Sequence, residues 1–381
     1  MISTHITLIV KVTNSCNMSC RYCFIEPAVF HKKMTIATAR RIIRAFLDSD
    51  HFESVHFVWH GGEPLLRNRE FFNQIFREQR SRPTKVEFTN ATQTNATYLD
   101  DEMMAFLVAQ GVQIGLSLDG PQQLNDCSRQ MRGADPRSPY QITIDAASRL
   151  RNCGCVPGAI VVVNRNNVDE PETVYREFKR QRLNMKLNCL TWSGLGATTG
   201  LDLAISPEAY GAFLVRMFDL WYDDPEPTIT VEPFRQHICR ILGIPGTVHS
   251  CYFTQGCHHH FLGISPDGDL FPCGMFQAEP AFRYGNINEM EPQEVGSTAL
   301  FRQLESRERK VLQGCARCAF LDLCYGGCMF HALKNSQVFE VKDFYCPAYR
   351  IYFEHALRRI HAELSRAQQT HPVSLLKIKL H

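Results

Sequence analysis

Cys16, Cys20 and Cys23, separated by three and then two residues, follow directly on the strand-like run Ile6 to Val12. This feature constrains the fold of the chain more than any other. A closed metal site takes four protein ligands, so three thiolates on a short loop leave one metal position for a ligand from outside the chain. Tyr22 and Phe24 flank the last cysteine as a hydrophobic collar around a cluster would. A disulfide or a structural zinc loop is the competing reading, although zinc would be left one ligand short.

The stretch resembles the CxxxCxxC loop of the radical S-adenosylmethionine (radical SAM) superfamily, in which the amine and carboxylate of SAM chelate the unique iron of a 4Fe-4S cluster. The resemblance implies Cys16, Cys20 and Cys23 as cluster ligands and SAM as cosubstrate. It also implies an external electron donor such as flavodoxin or ferredoxin, and a 5′-deoxyadenosyl radical that takes hydrogen from a substrate carbon.

From the N-terminus to about residue 190, six strand-like runs alternate with helix-like ones, the order expected of parallel βαβ units. The strands expected are Ile6 to Val12, Val55 to Trp59, Lys85 to Thr89, Val112 to Leu118, Gly158 to Val163 and Lys186 to Leu190. Thr35 to Leu47, Arg69 to Gln79, Leu99 to Ala109, Ile142 to Arg151 and Glu172 to Arg182 have helical spacing, several behind a Thr, Asn or Asp cap. The pattern looks like the partial, TIM-like (β/α)6 barrel of the radical SAM superfamily, an α/β fold. Such barrels place their chemistry at the carboxyl ends of the strands.

After the second strand comes His60-Gly61-Gly62-Glu63-Pro64, where paired glycines let backbone approach a ligand that a Cβ would exclude. In isolation this is a turn with a surface carboxylate. At a strand end downstream of the three-cysteine loop, it resembles the superfamily motif that holds the SAM amino group, which implies that role for Gly61, Gly62 and Glu63. Thr94-Asn95 ends the third strand and Ser117-Leu-Asp119-Gly120-Pro121 the fourth, with Asn125, Asp126 and Arg129 beyond. Ordinary turn chemistry accounts for these residues too. Resemblance to radical SAM peptide-modifying enzymes implies ribose and carboxylate contacts from Asn95, Ser117, Asp119 and Arg129. Asn164 is a further candidate or a turn asparagine.

Residues 191–250 read as a bridge without chemistry of their own. They contain a Gly-rich loop from Ser193 to Gly200, a helix from Pro207 to Tyr222 and a shorter one from Phe234 to Leu242. Eight cysteines follow: Cys251 and Cys257, then Cys273, then Cys315, Cys318, Cys324 and Cys328, and finally Cys346. Eight thiolates close two four-coordinate sites. The spacing resembles the SPASM domain, a small cysteine-rich unit that holds two auxiliary 4Fe-4S clusters beside a radical SAM barrel. Zinc is the alternative, since thiolates suit both metals. The resemblance implies interleaved ligands: Cys251, Cys257, Cys273 and Cys328 for one cluster, Cys315, Cys318, Cys324 and Cys346 for the other. With the SAM cluster this makes three 4Fe-4S clusters, the auxiliary pair having no open iron and serving electron transfer or tuning. The expected organisation is a barrel at 1–190, the bridge, the SPASM region at 251–350, and a C-terminal helix (Tyr345 to Leu357 its core) with a tail at 351–381.

The chain has 16 cysteines and shows no signal peptide or apolar run of the ~20 residues a spanning helix needs. A cytoplasmic protein with no membrane partner is expected, and in that compartment reduced thiols favour metal ligation over disulfides. A net charge of +2 without a like-charge block gives no field for nucleic acid. The His258-His259-His260 run reads as solvated or packing, and Cys127, Cys153, Cys155, Cys189 and Cys239 as buried small apolar residues.

SPASM proteins mostly modify peptides, so the implied partner is a peptide or protein substrate. Two enzyme readings follow: oxidative crosslinking of a ribosomally made peptide, by carbon-carbon or thioether bonds, and anaerobic sulfatase maturation to formylglycine. A non-catalytic iron-sulfur or zinc module fits the open cluster poorly. Sulfatase maturases of this type carry an Asp after the cysteine matching Cys273, as base on the substrate; here Gly274 stands there. That absence favours crosslinking, with Asp267 and Asp269 as candidate substitutes and an auxiliary cluster removing the surplus electron. Because the barrel begins almost at once, the peptide is expected to be gripped by the barrel, bridge or SPASM region.

Overall fold

The computed structural model describes residues 1–133, 135–198, 200–244 and 250–370, without the side chains of 366–370. Its strands are β1 His5–Thr13, β2 Ser54–Gly61, β3 Glu87–Gln93, β4 Gln113–Ser117, β5 Gly158–Val163, β6 Asn184–Cys189, β7 Val231–Glu232, β8 Phe261–Ile264, β9 Asp269–Phe271 and β10 Gly285–Asn286. The helices that follow the barrel strands are α1 Ile36–Leu47, α2 Arg69–Arg80, α3 Asp101–Ala109, α4 Gln122–Ser128, α5 Pro139–Asn152 and α6 Pro171–Arg180. The rest are α7 Pro207–Tyr222, α8 Phe234–Ile241, α9 Cys257–His260, α10 Ala299–Gly314, α11 Leu321–Cys324, α12 Met329–Asn335 and α13 Cys346–Thr370.

Period-two burial drives the strands. Leu8, Val10 and Val12 of β1 are fully buried and share one core with Ile42, Ile43 and Phe46 of α1. Thr35, Asn68 and Asp100 start α1, α2 and α3 by accepting hydrogen bonds from the backbone N–H of Thr38, Phe71 and Met103, which satisfies donors that a helix start leaves open.

All ten strands join one sheet, ordered β10-β9-β8-β1-β2-β3-β4-β5-β6-β7. From β8 through β7 the pairings are parallel, while β9 and β10 add antiparallel hairpins at one edge. The cysteine-rich region is therefore continuous with the barrel sheet through β8, which lies against β1 from Thr7 to Val10.

Three expectations are corrected. The third strand lies at Glu87–Gln93 instead of Lys85 to Thr89, because its polar residues are paired inside: Asn90 Oδ1 accepts from Trp59 Nε1 at 2.9 Å, and Thr92 Oγ1 donates to the Trp59 carbonyl at 3.0 Å. The turn after β4 contains α4, too short to carry a periodicity signal. The final helix begins at Cys346 and runs to Thr370, packing on α7; the expected tail beyond it lies outside the described residues. Among the described residues no helix is long and apolar enough to cross a membrane.

Candidate active site and cysteine clusters

β1 delivers the three-cysteine loop to the carboxyl end of the sheet, where the end of β2 braces it. Gly62 N–H donates to the Thr13 carbonyl at 2.8 Å and Glu63 N–H to the Ser15 carbonyl at 2.9 Å. Gly61 has φ +141°, and a Cβ there would lie 1.9 Å from the Thr13 oxygen; one on Gly62 would lie 2.3 Å from the Ser15 oxygen. Expected to admit a ligand, these glycines admit the chain's own segment leading into the cysteines. The Glu63 carboxylate is fully buried and accepts from Leu65 N–H at 2.9 Å, Thr94 Oγ1 at 2.8 Å and Asn95 N–H at 2.8 Å. It is a buried strut between the ends of β2 and β3. Burial pushes its pKa up to about 7 against these three donors.

Asn95 carries the brace to sulfur: its Nδ2 lies 3.6 Å from Cys16 Sγ and donates to Asn17 Oδ1 at 3.1 Å, while Met18 N–H reaches Cys16 Sγ at 3.3 Å. Tyr22, expected as an apolar collar, instead donates its hydroxyl to Asp119 Oδ2 at 2.5 Å and accepts from Arg129 Nη1 at 2.9 Å. Asp119 Oδ1 accepts from Val162 N–H at 2.9 Å, and Asp119 is 1% exposed. Its carboxylate thus holds the cysteine loop to β5. Ser117 is half-buried and accepts from Gln93 Nε2 at 3.1 Å. Asn164 is buried and acts within its own turn, donating to the Val162 carbonyl and accepting from Asn166 N–H.

Two contributors were not anticipated. The Gly-rich loop of the bridge, read as inert, covers the cysteine loop: Gly194 N–H donates to Glu26 Oε1 at 2.9 Å and Gly196 N–H to the Cys23 carbonyl at 3.3 Å. A Cβ on Gly194 would lie 2.5 Å from Phe24 backbone, so the clustered glycines were the legible signal. The second is Lys11, a lone cation in an apolar strand. It is 4% exposed, with its ammonium 4.7 Å from the centre of the Phe24 ring. Burial lowers its pKa to about 8, against the opposing influence of charge at Cys23 and Cys273. Opposite it on β2, burial and then the Lys11 charge lower His60 to about 4, so that imidazole is neutral.

None of the 16 cysteines forms a disulfide. Cys16, Cys20 and Cys23 are close enough for their charges to act on one another, and burial first, then those charges, pushes Cys16 up to about 12 and Cys23 to about 11. Without a cation these thiols stay protonated; three convergent, reduced sulfurs with donors aimed at one of them fit an iron-sulfur cluster.

The later cysteines fall into two groups. Cys251, Cys257, Cys273 and Cys328 interact with one another, as do Cys315, Cys318, Cys324 and Cys346. Asp343, 2% exposed, links the groups: Oδ2 accepts from Cys328 N–H at 2.7 Å, and its carbonyl accepts from Cys346 N–H at 3.0 Å. The same carboxylate holds His331 at 3.1 Å, and His331 Nε2 lies 3.6 Å from Cys189 Sγ. Of the cysteines expected to be buried, Cys189 and Cys239 are, Cys155 is half-buried, and Cys127 and Cys153 are exposed. Beside Cys273, a Cβ on Gly274 would lie 2.5 Å from Ile9 Cγ2, so β1 fills the space of a side chain. Asp267 is ion-paired with Lys32, and Asp269 with Arg283 at 2.6 Å.

Residues 10–178 match the Radical SAM superfamily, and residues 251–319 match SPASM, an iron-sulfur cluster-binding domain. A cysteine-type anaerobic sulfatase-maturating enzyme of Clostridium perfringens is 28% identical over 93% of this chain and 97% of its own. The structure of native anSMEcpe with bound AdoMet and Cp18Cys peptide superposes with a TM-score of 0.81 at 24% identity, covering 94% of this chain and 99% of that one. Streptococcus suis SuiB bound to precursor peptide SuiA gives a TM-score of 0.66 at 17% identity, covering 91% of this chain and 76% of that one. The chain belongs to the radical SAM enzymes with a C-terminal SPASM domain, which use SAM on a 4Fe-4S cluster and carry auxiliary iron-sulfur clusters.

Proposed function

We propose that this enzyme matures a peptide or protein substrate by installing an oxidative crosslink between side chains, carbon-carbon in the favoured case and thioether in the other. Cys16, Cys20 and Cys23 hold the SAM-binding cluster, Cys251, Cys257, Cys273 and Cys328 the first auxiliary cluster, and Cys315, Cys318, Cys324 and Cys346 the second. When bound, cluster and SAM supply a carbon radical able to take a hydrogen atom from an unactivated C–H bond.

The chain's own residues orient and shield. Asn95, Ser117 and Arg129 reach SAM. Glu63 acts through Asn95, whose backbone it fixes, and Asp119 acts through Tyr22, which it holds against the cysteine turn. Gly61 and Gly62 set the depth at which the loop sits, and Gly194 and Gly196 close it from the bridge side. Holding reacting atoms in place is the protein's main contribution to such chemistry.

The observation that supports crosslinking is the space beside Cys273. Gly274 has no group to accept a proton, Ile9 occupies the room for one, and Asp267 and Asp269 are committed to cations. General-base help is commonly worth about two to four orders of magnitude, so a reaction that must deprotonate a thiol or hydroxyl is disfavoured here, which favours carbon-carbon over thioether bonds as well as over formylglycine. Formylglycine formation is the second reading, supported by the name of the Clostridium perfringens relative and its full-length match.

The test is anaerobic turnover, with SAM and reductant, of two substrates: a sulfatase-derived Cys peptide and any short peptide found encoded beside the gene. Crosslinking gives a product of the neighbouring peptide lighter by two hydrogen atoms per bond and without aldehyde. Hydrazide-reactive product from the sulfatase peptide, with the neighbouring peptide unchanged, overturns the proposal in favour of formylglycine.

A further inference from the structure

His258, His259 and His260 close α9 between Cys257 and β8. Expected to be solvated or packing, two of them stand with an acid from α10: one ligand atom from each of His258, His259 and Glu308 lies within 4.8 Å of the other two. His259 Nδ1 is 2.7 Å from the Met1 carbonyl oxygen. A carbonyl only accepts, so Nδ1 carries the proton and Nε2 presents its lone pair, the tautomer that metal-binding histidines adopt when the other nitrogen is held by a carbonyl.

Two further observations point to a missing ion. His258 is 3% exposed and its Nε2 has no hydrogen-bond partner; a buried polar atom left unsatisfied calls for an explanation such as an ion. Glu308 Oε1 accepts from Gly256 N–H at 2.6 Å, which leaves Oε2 uncommitted. Gly256 has φ +61°, and a Cβ built on it would lie 3.6 Å from both Glu308 Oε2 and His259 Nε2 and 2.8 Å from His259 Cδ2. The glycine keeps a side chain out of the space onto which those two atoms open. Glu305 Oε1, 3.9 Å from His259 Nε2, adds a second carboxylate at the rim.

The geometry points to a mononuclear divalent metal site, suited to zinc, formed by His258, His259 and Glu308. Two imidazoles and one carboxylate are a zinc donor set that leaves the fourth position to water. No sulfur belongs to it, which separates it chemically from the cysteine groups. The ion ties the segment before β1 and the Gly256-Cys257 turn to α10, and so fixes the backbone that presents Cys257.

The test uses the full chain, anaerobically loaded with iron and sulfide, equilibrated with zinc ion and desalted. Metal analysis is expected to find about one zinc per chain beside a full iron complement, and zinc-edge X-ray absorption only nitrogen and oxygen neighbours, at about 2.0 to 2.1 Å. Glu308→Gln is expected to weaken zinc binding at least tenfold with iron unchanged, and His259→Gln to do the same. Iron-loaded wild-type protein that retains no zinc, or zinc with sulfur neighbours near 2.3 Å, overturns the site. So does wild-type zinc affinity in both variants. The wild-type spectrum decides even where a variant fails to take up iron.

Discussion

The three-thiol loop and the eight thiols beyond residue 250 are built on opposite plans. The first is one short segment whose sulfurs are neighbours in sequence, gripped by the chain on several sides: Gly61 and Gly62 on Thr13 to Ser15, Asn95 on Cys16, Asp119 on Tyr22, and Gly194 and Gly196 on Cys23 to Phe24. The second draws its sulfurs from turns and short helices spread from Cys251 to Cys346, which meet only once the chain has folded and which a few buried groups such as Asp343 hold together. A site made by backbone packing stands without its metal and keeps a coordination position open. A site made by distant segments depends on the metal to hold it, as small metal-bound domains do.

The largest effect that would break this comparison comes from the cysteines themselves. Replacing Cys16, Cys20 and Cys23 with Ala should remove about one third of roughly twelve irons and abolish formation of 5′-deoxyadenosine, measured by chromatography after reduction with dithionite. Cys324→Ala should cost a similar share of iron, yet leave dithionite-driven SAM cleavage in place. Loss of cleavage in both variants would show that the two regions do not divide the work.

An intermediate effect is expected at the glycines. Gly61→Ala forces a Cβ onto the Thr13 carbonyl at 1.9 Å, backbone against backbone, and should destabilise the protein by about 2 to 4 kcal/mol in denaturant titration. Gly314→Ala, at the end of α10 in the cysteine-rich region, meets nothing within 4 Å and should be neutral or stabilising by up to about 1 kcal/mol. Equal cost at the two positions would remove the distinction between a packed and a metal-held site.

The smallest effect lies where the regions touch. Lys11 is near enough to both Cys23 and Cys273 for a charge on either to act on it, and below about pH 8 it is an ammonium. Lys11→Met should move the potentials of the SAM-site cluster and the first auxiliary cluster to more negative values, since a nearby cation favours the reduced form. The shift should be on the order of 1 kcal/mol, a few tens of millivolts, for an effective dielectric near 20. The second auxiliary cluster should be unmoved. Redox titration followed by electron paramagnetic resonance separates the three, and a uniform shift would show that Lys11 acts on no cluster in particular.

Much of the barrel was legible because burial writes itself into local sequence. β5 and α7 fall at the expected residues, and the caps at Thr35 and Asn68 announce their helices. β3 was misplaced because the partners of Asn90 and Thr92 belong to β2 and α2, so its polar inward residues carried no apolar alternation. The bracing bonds of Glu63 and Asp119 were hidden for a related reason. A carboxylate at a strand end reads the same in sequence whether it faces a ligand or three backbone and hydroxyl donors, and only the fold distinguishes the two.

By itself the sequence determined the thiol spacing that leaves a metal position open, the βαβ order that carries that loop to a strand end, and a second cysteine field large enough for two more sites. These are local quantities, set by residue type and by separation along the chain. Tertiary structure alone decided what the glycines of the loop and bridge press against, that Ile9 occupies the space beside Gly274, that Lys11 comes near both Cys23 and Cys273, and that Glu308 meets His258 and His259. Each of these pairs residues from separate elements, and such contacts depend on how the strands and helices pack in three dimensions, which no spacing along a single segment encodes.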